Sequence, residues 1–314
     1  MRSMNLYVTH ESALAYWNSP RALRRKTNEW RETLPSLTPE KGALDLPWLM
    51  ELGIGADPLH VTVGEMGQRR HWDGLAVHLA QGPAIAGSYE HVAQDIWVSS
   101  PELLFCQLAN EASAIESMKL GYSLCAGFRM EPNDIRGFEG REPLTSPKAL
   151  NAFANRYQGN GAKRARLAAQ YVRGAAASPM EVAAAMLLTL PRRYGGYGMP
   201  ACRMNHPVRV PDAGRGGAAT YYADLAWPDR RVAVEYDSDF FHQGSERIHA
   251  DASRRNALLG AGWQVLTLTK RQLYSQAECD TFAAQLTRAL GAYNAHATPQ
   301  MAQRRFELRK LVLN

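Results

Sequence analysis

Apolar and polar positions along the chain alternate in two different rhythms, and each predicts its own elements. Period-two alternation marks strands at Leu59–Val63, Ala76–Leu79 and Ile96–Val98. Helical spacing gives an apolar stripe from Thr9 to Trp17 and an apolar face from Ser100 to Ala109, which opens on Ser-Pro-Glu. A second start of this kind, Ser178-Pro179-Met180-Glu181, leads an Ala/Leu-rich run: serine as N-cap, proline at the first helical position, glutamate at the third. Further on, Asp224 precedes a tight turn at Pro228–Arg230, and a short apolar strand, Val232–Val234, runs directly into Glu235 and Asp237. The stretch from 222 to 269 reads as strand, strand, amphipathic helix, glycine turn at Gly262, and a last strand, Val265–Thr269.

The acids at the end of that apolar strand carry the first chemical signal. Alternation sends Glu235 and Asp237 to one face. Gathered carboxylates repel one another unless a proton or cation offsets them, and Mg²⁺ or Mn²⁺ held by one or two carboxylates plus waters is the usual remedy. The competing reading is a surface hairpin with solvated acids. Glu181 has two readings as well, an ordinary capping box or a group abutting the acids. His242, after Phe240 and Phe241, is either a strand-end residue or an imidazole that orients water or meets phosphate. Asp251 and Arg254 lie three apart and share a helix face. Lys270 follows the last strand, as a solvated terminus or a cation within reach of the acids.

Taken together these motifs resemble the PD-(D/E)XK nuclease superfamily, and within it the branch related to the very-short-patch repair endonuclease. The similarity covers roughly residues 175–290 and rests on Ser178–Glu181, Asp224–Asp237 and Asp251–Leu266 as a joint pattern. It implies an α/β, restriction-endonuclease-like fold: a mixed central sheet flanked by helices, preceded by a smaller α+β domain. It also implies a Mg²⁺-dependent DNA endonuclease with catalytic residues Glu181, Asp224, Glu235, Asp237 and His242, in which Asp224 and Glu235 ligate the metal and Arg254 meets phosphate. The superfamily places a lysine two residues after the glutamate, where this chain has Asp237. The very-short-patch branch also lacks that lysine.

The first 140 residues are similar to the C-terminal portion of AbiEi-type antitoxins, through the Glu11–Trp17 segment, the strand-rich middle and Val98–Leu104. The winged helix that precedes this portion in such antitoxins is expected to be missing, and sequence-specific repression with it. The implied organisation is an antitoxin-like domain (1–140), a basic helical connector (141–177) and a nuclease-like domain (178–314). The implied setting is a bacterial defence, repair or toxin–antitoxin system, with a protein partner on the N-terminal domain. The alternative is a catalytically inactive nuclease fold that binds DNA or a partner as a regulator.

Charge places the DNA path. The 314 residues carry a net charge of +6. Between Arg156 and Arg215 ten Lys/Arg stand against two acids, an excess of +8, which leaves about −2 for the remainder. Lys163, Arg164 and Arg166, on a helix from about Ala162 to Arg173, then read either as a phosphate track or as a solvated face. The tail Gln303–Lys310 reads as a closing basic helix. No run approaches the roughly 18 apolar residues of a membrane span, and the N-terminus shows no signal pattern. Cys106, Cys125, Cys202 and Cys279 are scattered without CxxC pairing, which argues against a disulfide framework and against zinc, and fits a reducing cytoplasm.

Overall fold

The computed structural model describes residues 5–22, 44–55, 57–83, 85–212, 217–237, 255–292 and 298–313. The chain forms two compact units of nearly equal length, Met1–Cys125 with Pro143–Val172, and Ala126–Glu142 with Arg173–Asn314. Both are mixed α/β with helices flanking their sheets.

The first unit contains strands β1 (Leu6–Val8), β2 (Leu59–Val63), β3 (Leu75–Leu79), β4 (Tyr89–Ala93) and β5 (Ile96–Ser99). Its helices are α1 (His10–Asn18), α2 (Leu46–Glu51), α3 (Pro101–Leu108), α4 (Ala114–Leu124), α5 (Pro147–Arg156) and α6 (Ala162–Ala169). The five strands run in the order β3-β2-β1-β5-β4. Central β1 is buried along its length, as a strand covered on both faces must be. Trp17, fully buried on α1, donates its indole N–H to the Ser99 carbonyl at 2.8 Å, which pins α1 to the end of β5. The Ser100 hydroxyl accepts from the Leu103 amide and caps α3, as the Ser-Pro-Glu signature predicts.

A free-standing connector over 141–177 is not what the chain builds. α5 and α6 pack on each other and against α3 and α4, because Ala162, Ala165, Ala168 and Ala169 are small enough to let α6 lie close. Residues 126–142 instead join the second unit as a hairpin of β6 (Phe128–Met130) and β7 (Phe138–Gly140), tied to it by the Gly127 amide donating to the Ala176 carbonyl. The basic helix is also shorter than expected and closes at Ala169.

The rest of the second unit runs α7 (Pro179–Thr189), β8 (Arg203–Asp212), β9 (Gly217–Trp227), β10 (Val232–Asp237), a helix at 255–260 (α8), β11 (Gln264–Thr269), α9 (Lys270–Tyr274), α10 (Gln276–Ala289) and α11 (Pro299–Leu313). The sheet order is β11-β10-β9-β8. β8, β9 and β10 pair antiparallel, and β11 pairs parallel to β10, which demands a crossover; α8 lies on it. The observed helix–strand–strand–strand–helix–strand order carries the α/β class and mixed sheet expected from the motifs. α7 is buried from Glu181 through Leu188, the mark of an apolar helix enclosed on all sides. Next to it, α11 closes over α7 and over Gly195, where a Cβ would lie 2.2 Å from the Arg304 carbonyl, so only glycine fits.

Strand β8 was not legible in the sequence. Pro207 and Pro211 interrupt its pattern, and proline is confined to sheet edges because it donates no ladder hydrogen bond. The edge is where β8 lies.

Leu225 on β9 is fully buried beside the Val234 register partner. Leu225→Ala is expected to lower unfolding free energy by about 2–5 kcal/mol, measured by urea denaturation. A loss below about 1 kcal/mol would contradict this packing.

Candidate functional site

The sheet sets where the acids lie. β9 and β10 keep register through Val232↔Trp227, Ala233↔Ala226 and Val234↔Leu225, and the ladder stops there. Asp224 and Glu235 are the next residues on each strand. Past this point a side chain takes over from the main chain: Asp224 Oδ2 accepts the Tyr236 amide at 2.7 Å. On the other side of β10 the pairing with β11 continues through Glu235↔Thr267, Tyr236↔Leu268 and Asp237↔Thr269. Residues that pair across a rung share a face, so Glu235 stands with Thr267 and Asp237 with Thr269. Burial falls along β10 from Val232–Val234, wholly buried, to half-buried Glu235 and exposed Asp237. The acids therefore occupy the mouth of the sheet rather than its core.

Glu181 joins them from the start of α7. Its Oε2 accepts the Ala177 amide and its Oε1 the Ser178 hydroxyl, each at 2.8 Å, while its own amide donates to Ser178 Oγ. The residue is buried, and burial, with the charge of Asp224 second, pushes its pKa up to about 7. That coupling answers the question the sequence left open. Glu181 is both a helix cap and an electrostatic neighbour of Asp224.

Sequence reasoning reaches Arg255 only as part of a fallback electropositive path with Arg254 and the C-terminal tail, not as a site residue. Exposed at the start of α8, it donates through Nη1 to Thr267 Oγ1 at 3.3 Å, and Thr267 is the rung partner of Glu235. The double arginine at 254–255 was a visible signal; which of the two faces the sheet depends on helix phase. Arg254, Asp251 and His242 lie outside the described residues. Lys270 is exposed at the start of α9, directly after the Thr269 partner of Asp237, and its ammonium stands 5.9 Å from the Tyr274 ring centre.

The basic residues of the charge-rich segment have other employment. Arg164 Nη1 donates to the carbonyls of Ala109 and Asn110, both at 2.8 Å, and Arg166 Nη1 to those of Ala154 and Tyr157. These are chain carbonyls beyond the ends of α3 and at the end of α5, where acceptors otherwise go unmet. Only Lys163 of the trio projects into solvent. Two arginines of the basic tail are likewise buried: Arg305 pairs with Asp280 and stacks on Tyr197, and Arg309 donates to the Leu273 carbonyl.

No family model matches the chain. No solved structure matches it at a significant level. Two proteins of Mycobacterium tuberculosis, one from strain CDC 1551 and one from strain H37Rv, each described as uncharacterized, are 30% identical to it over 118 residues. That stretch is 38% of this chain, and the chain spans about 40% of their length.

Two outcomes follow from this geometry. A folded carboxyl with a pKa near 7, against the usual 4.5, binds more protons than its unfolded counterpart between those values. Its contribution to stability is therefore complete below about pH 4.5 and is lost as pH rises towards 7. The urea midpoint of Glu181→Gln minus that of the wild type should accordingly grow across this window, and a flat difference would refute the coupling. Arg164→Ala and Arg166→Ala should each cost roughly 1–2 kcal/mol in the same assay, whereas Lys163→Ala should be nearly silent.

Proposed function

We propose that the second unit is a Mg²⁺- or Mn²⁺-dependent phosphodiesterase acting on DNA, with its centre at Asp224 and Glu235. The observation that supports it most is that Asp224 and Glu235 follow the last β9–β10 rung on neighbouring strands, with buried Glu181 near enough to feel the charge of Asp224. An all-carboxylate donor set of this kind suits a hard divalent ion, which is held through oxygen and keeps several waters. Such an ion, when bound, supplies a lowered pKa for its water and shields charge on the phosphate.

The chain's own residues do the remainder. Asp224, held by the Tyr236 amide, presents its carboxylate in one orientation. Glu235 offers a second carboxylate from the adjoining strand position. Glu181 is fixed by Ala177 and Ser178 and so orients whatever water or ligand borders Asp224, a supporting role at the rim of the donor set. Arg255 supplies a planar cation on the same face as Glu235, suited to meet a phosphate oxygen pair. It takes the place in charge, though not in sequence position, of the lysine that Asp237 replaces. The DNA path is then sought around α8 and Arg255 rather than along α6, whose arginines cap helices. A reducing cytoplasm is the proposed setting, supported by four buried cysteines with no disulfide among them. Among the described residues no helix is long and apolar enough to cross a membrane.

The test is cleavage of labelled single-stranded, duplex, mismatched and branched DNA with Mg²⁺ or Mn²⁺. Asp224→Ala and Glu235→Ala should each reduce the rate by about 100-fold or more, and Arg255→Ala by a smaller factor with a shallower salt dependence. EDTA should abolish cleavage. Absence of metal-dependent cleavage on every substrate would overturn the reading in favour of a binding role.

A further inference from the structure

The first unit brings together three histidines that no sequence spacing connects. His10 opens α1, His60 lies on β2 and His78 on β3. β2 and β3 pair parallel with His60↔Ala76 and Thr62↔His78, so the two strand histidines sit two rungs apart on one face. α1 follows β1, the strand on the other side of β2, and delivers His10 to the same place. One ring nitrogen from each of the three lies within 4.8 Å of the others. His10 stacks on His78 with 3.6 Å between ring centres.

We propose that His10, His60 and His78 form a site for a divalent transition-metal ion, Zn²⁺ in the first instance, with a coordination position left for a non-protein ligand. It is independent of the carboxylate centre in the second unit.

Four observations carry this. Tetrahedral bonds of about 2.0–2.1 Å place ligand atoms roughly 3.3 Å apart. His60 Nδ1 already stands 3.0 Å from His78 Nε2, and His10, whose ring lies stacked on that of His78, completes the set when its side chain turns to aim a ring nitrogen at the same point. Second, His60 Nδ1 also lies 2.9 Å from Glu11 Oε2. A single proton on that nitrogen serves the carboxylate or the second imidazole but not both well, whereas a cation satisfies lone pairs from both rings and draws on the nearby negative charge. Third, His10 adopts φ +48°, a left-handed conformation that is costly for a side chain with a Cβ. Its Nδ1 lies 3.0 Å from Thr9 Oγ1, which in turn accepts from Thr62 at 3.1 Å; this outer shell holds the ring through Nδ1 and leaves Nε2 as the nitrogen for an ion. Fourth, His10 and His78 form part of the wall of a cavity of about 350 Å³, shared with Arg69, Tyr89, Gln107 and Tyr157. A three-imidazole set with two members opening on a cavity is the arrangement of a zinc site that keeps an open position.

Glu11 Oε2 faces the same His60 nitrogen that would ligate the ion, so its part in this scheme is negative charge beside the site.

The experiment uses the full chain, stripped with chelator and titrated with Co²⁺ and then Zn²⁺. Wild type should bind roughly one equivalent of Co²⁺ with visible ligand-field absorption, displaced by Zn²⁺. His10→Asn tolerates the left-handed backbone yet lacks the imidazole, and His78→Gln keeps a polar amide. Both should weaken Co²⁺ binding by more than about 100-fold, and Glu11→Gln by a smaller factor, through the loss of nearby negative charge. The Asp224→Ala/Glu235→Ala variant should keep the full Co²⁺ signal, which separates this site from the proposed nuclease centre. The proposal is overturned if wild type gives no ligand-field absorption, a result that needs no variant to fold. It is equally overturned if folded His10→Asn and His78→Gln bind as wild type does, or if the signal disappears in the folded Asp224→Ala/Glu235→Ala chain.

Discussion

The hydrogen bond from the Tyr236 amide to the Asp224 carboxylate is the joint on which the second unit depends. Up to Val234 the antiparallel pair of β9 and β10 is held by main-chain bonds between apolar residues, and its geometry is that of any buried sheet. One residue further, the acceptor becomes a charged side chain. The exchange keeps β10 aligned as it leaves β9, so that it can continue beside β11 for three more rungs. It also brings a carboxylate to the sheet mouth in a fixed orientation, and the buried Glu181 feels its charge. Fold and electrostatics are thus set by one contact: lose the acceptor, and β10 loses both its last tie to β9 and the charge next to α7.

Much of this was open to reading in the sequence because the devices are local. A serine with a glutamate three residues on forms the same cap wherever it occurs, and it does so at α7. The run from Val232 to Asp237 announces a strand whose end differs from its beginning. Elements fixed by tertiary position were invisible. β8 contains two prolines and forms a strand only because a partner supplies the hydrogen bonds on its inner side. The role of Arg164 and Arg166 could not be read from charge density, since a cation facing phosphate and a cation capping a carbonyl look alike until the neighbouring helix ends are placed. The tie of Arg255 to the acid rung was hidden for a related reason: it depends on a parallel pairing between two strands separated along the chain by α8.

The histidine cluster shows the same limit more sharply. The scattered cysteines argue in the sequence against zinc altogether, although they bear only on thiolate ligation, and nothing in the spacing of residues 10, 60 and 78 suggests a shared ion. His60 and His78 each fall on a strand that alternation predicts, where a histidine is an ordinary half-buried residue. Their meeting is a property of strand order, because β2 lies between β1 and β3 and the helix after β1 returns to the same end. Metal sites assembled across a sheet in this way leave no motif, only a coincidence of side chains once the pairing is known.

The two prolines of β8 have a consequence beyond their own strand. A sheet grows by offering unpaired amides to another chain, and at that border two amide hydrogens are lacking over ten residues. The border therefore makes a poor template for a second copy or a stray peptide. Self-association through a continuous sheet is discouraged on that side, and an assembly of this unit would have to be built from helix faces or from the opposite border at β11.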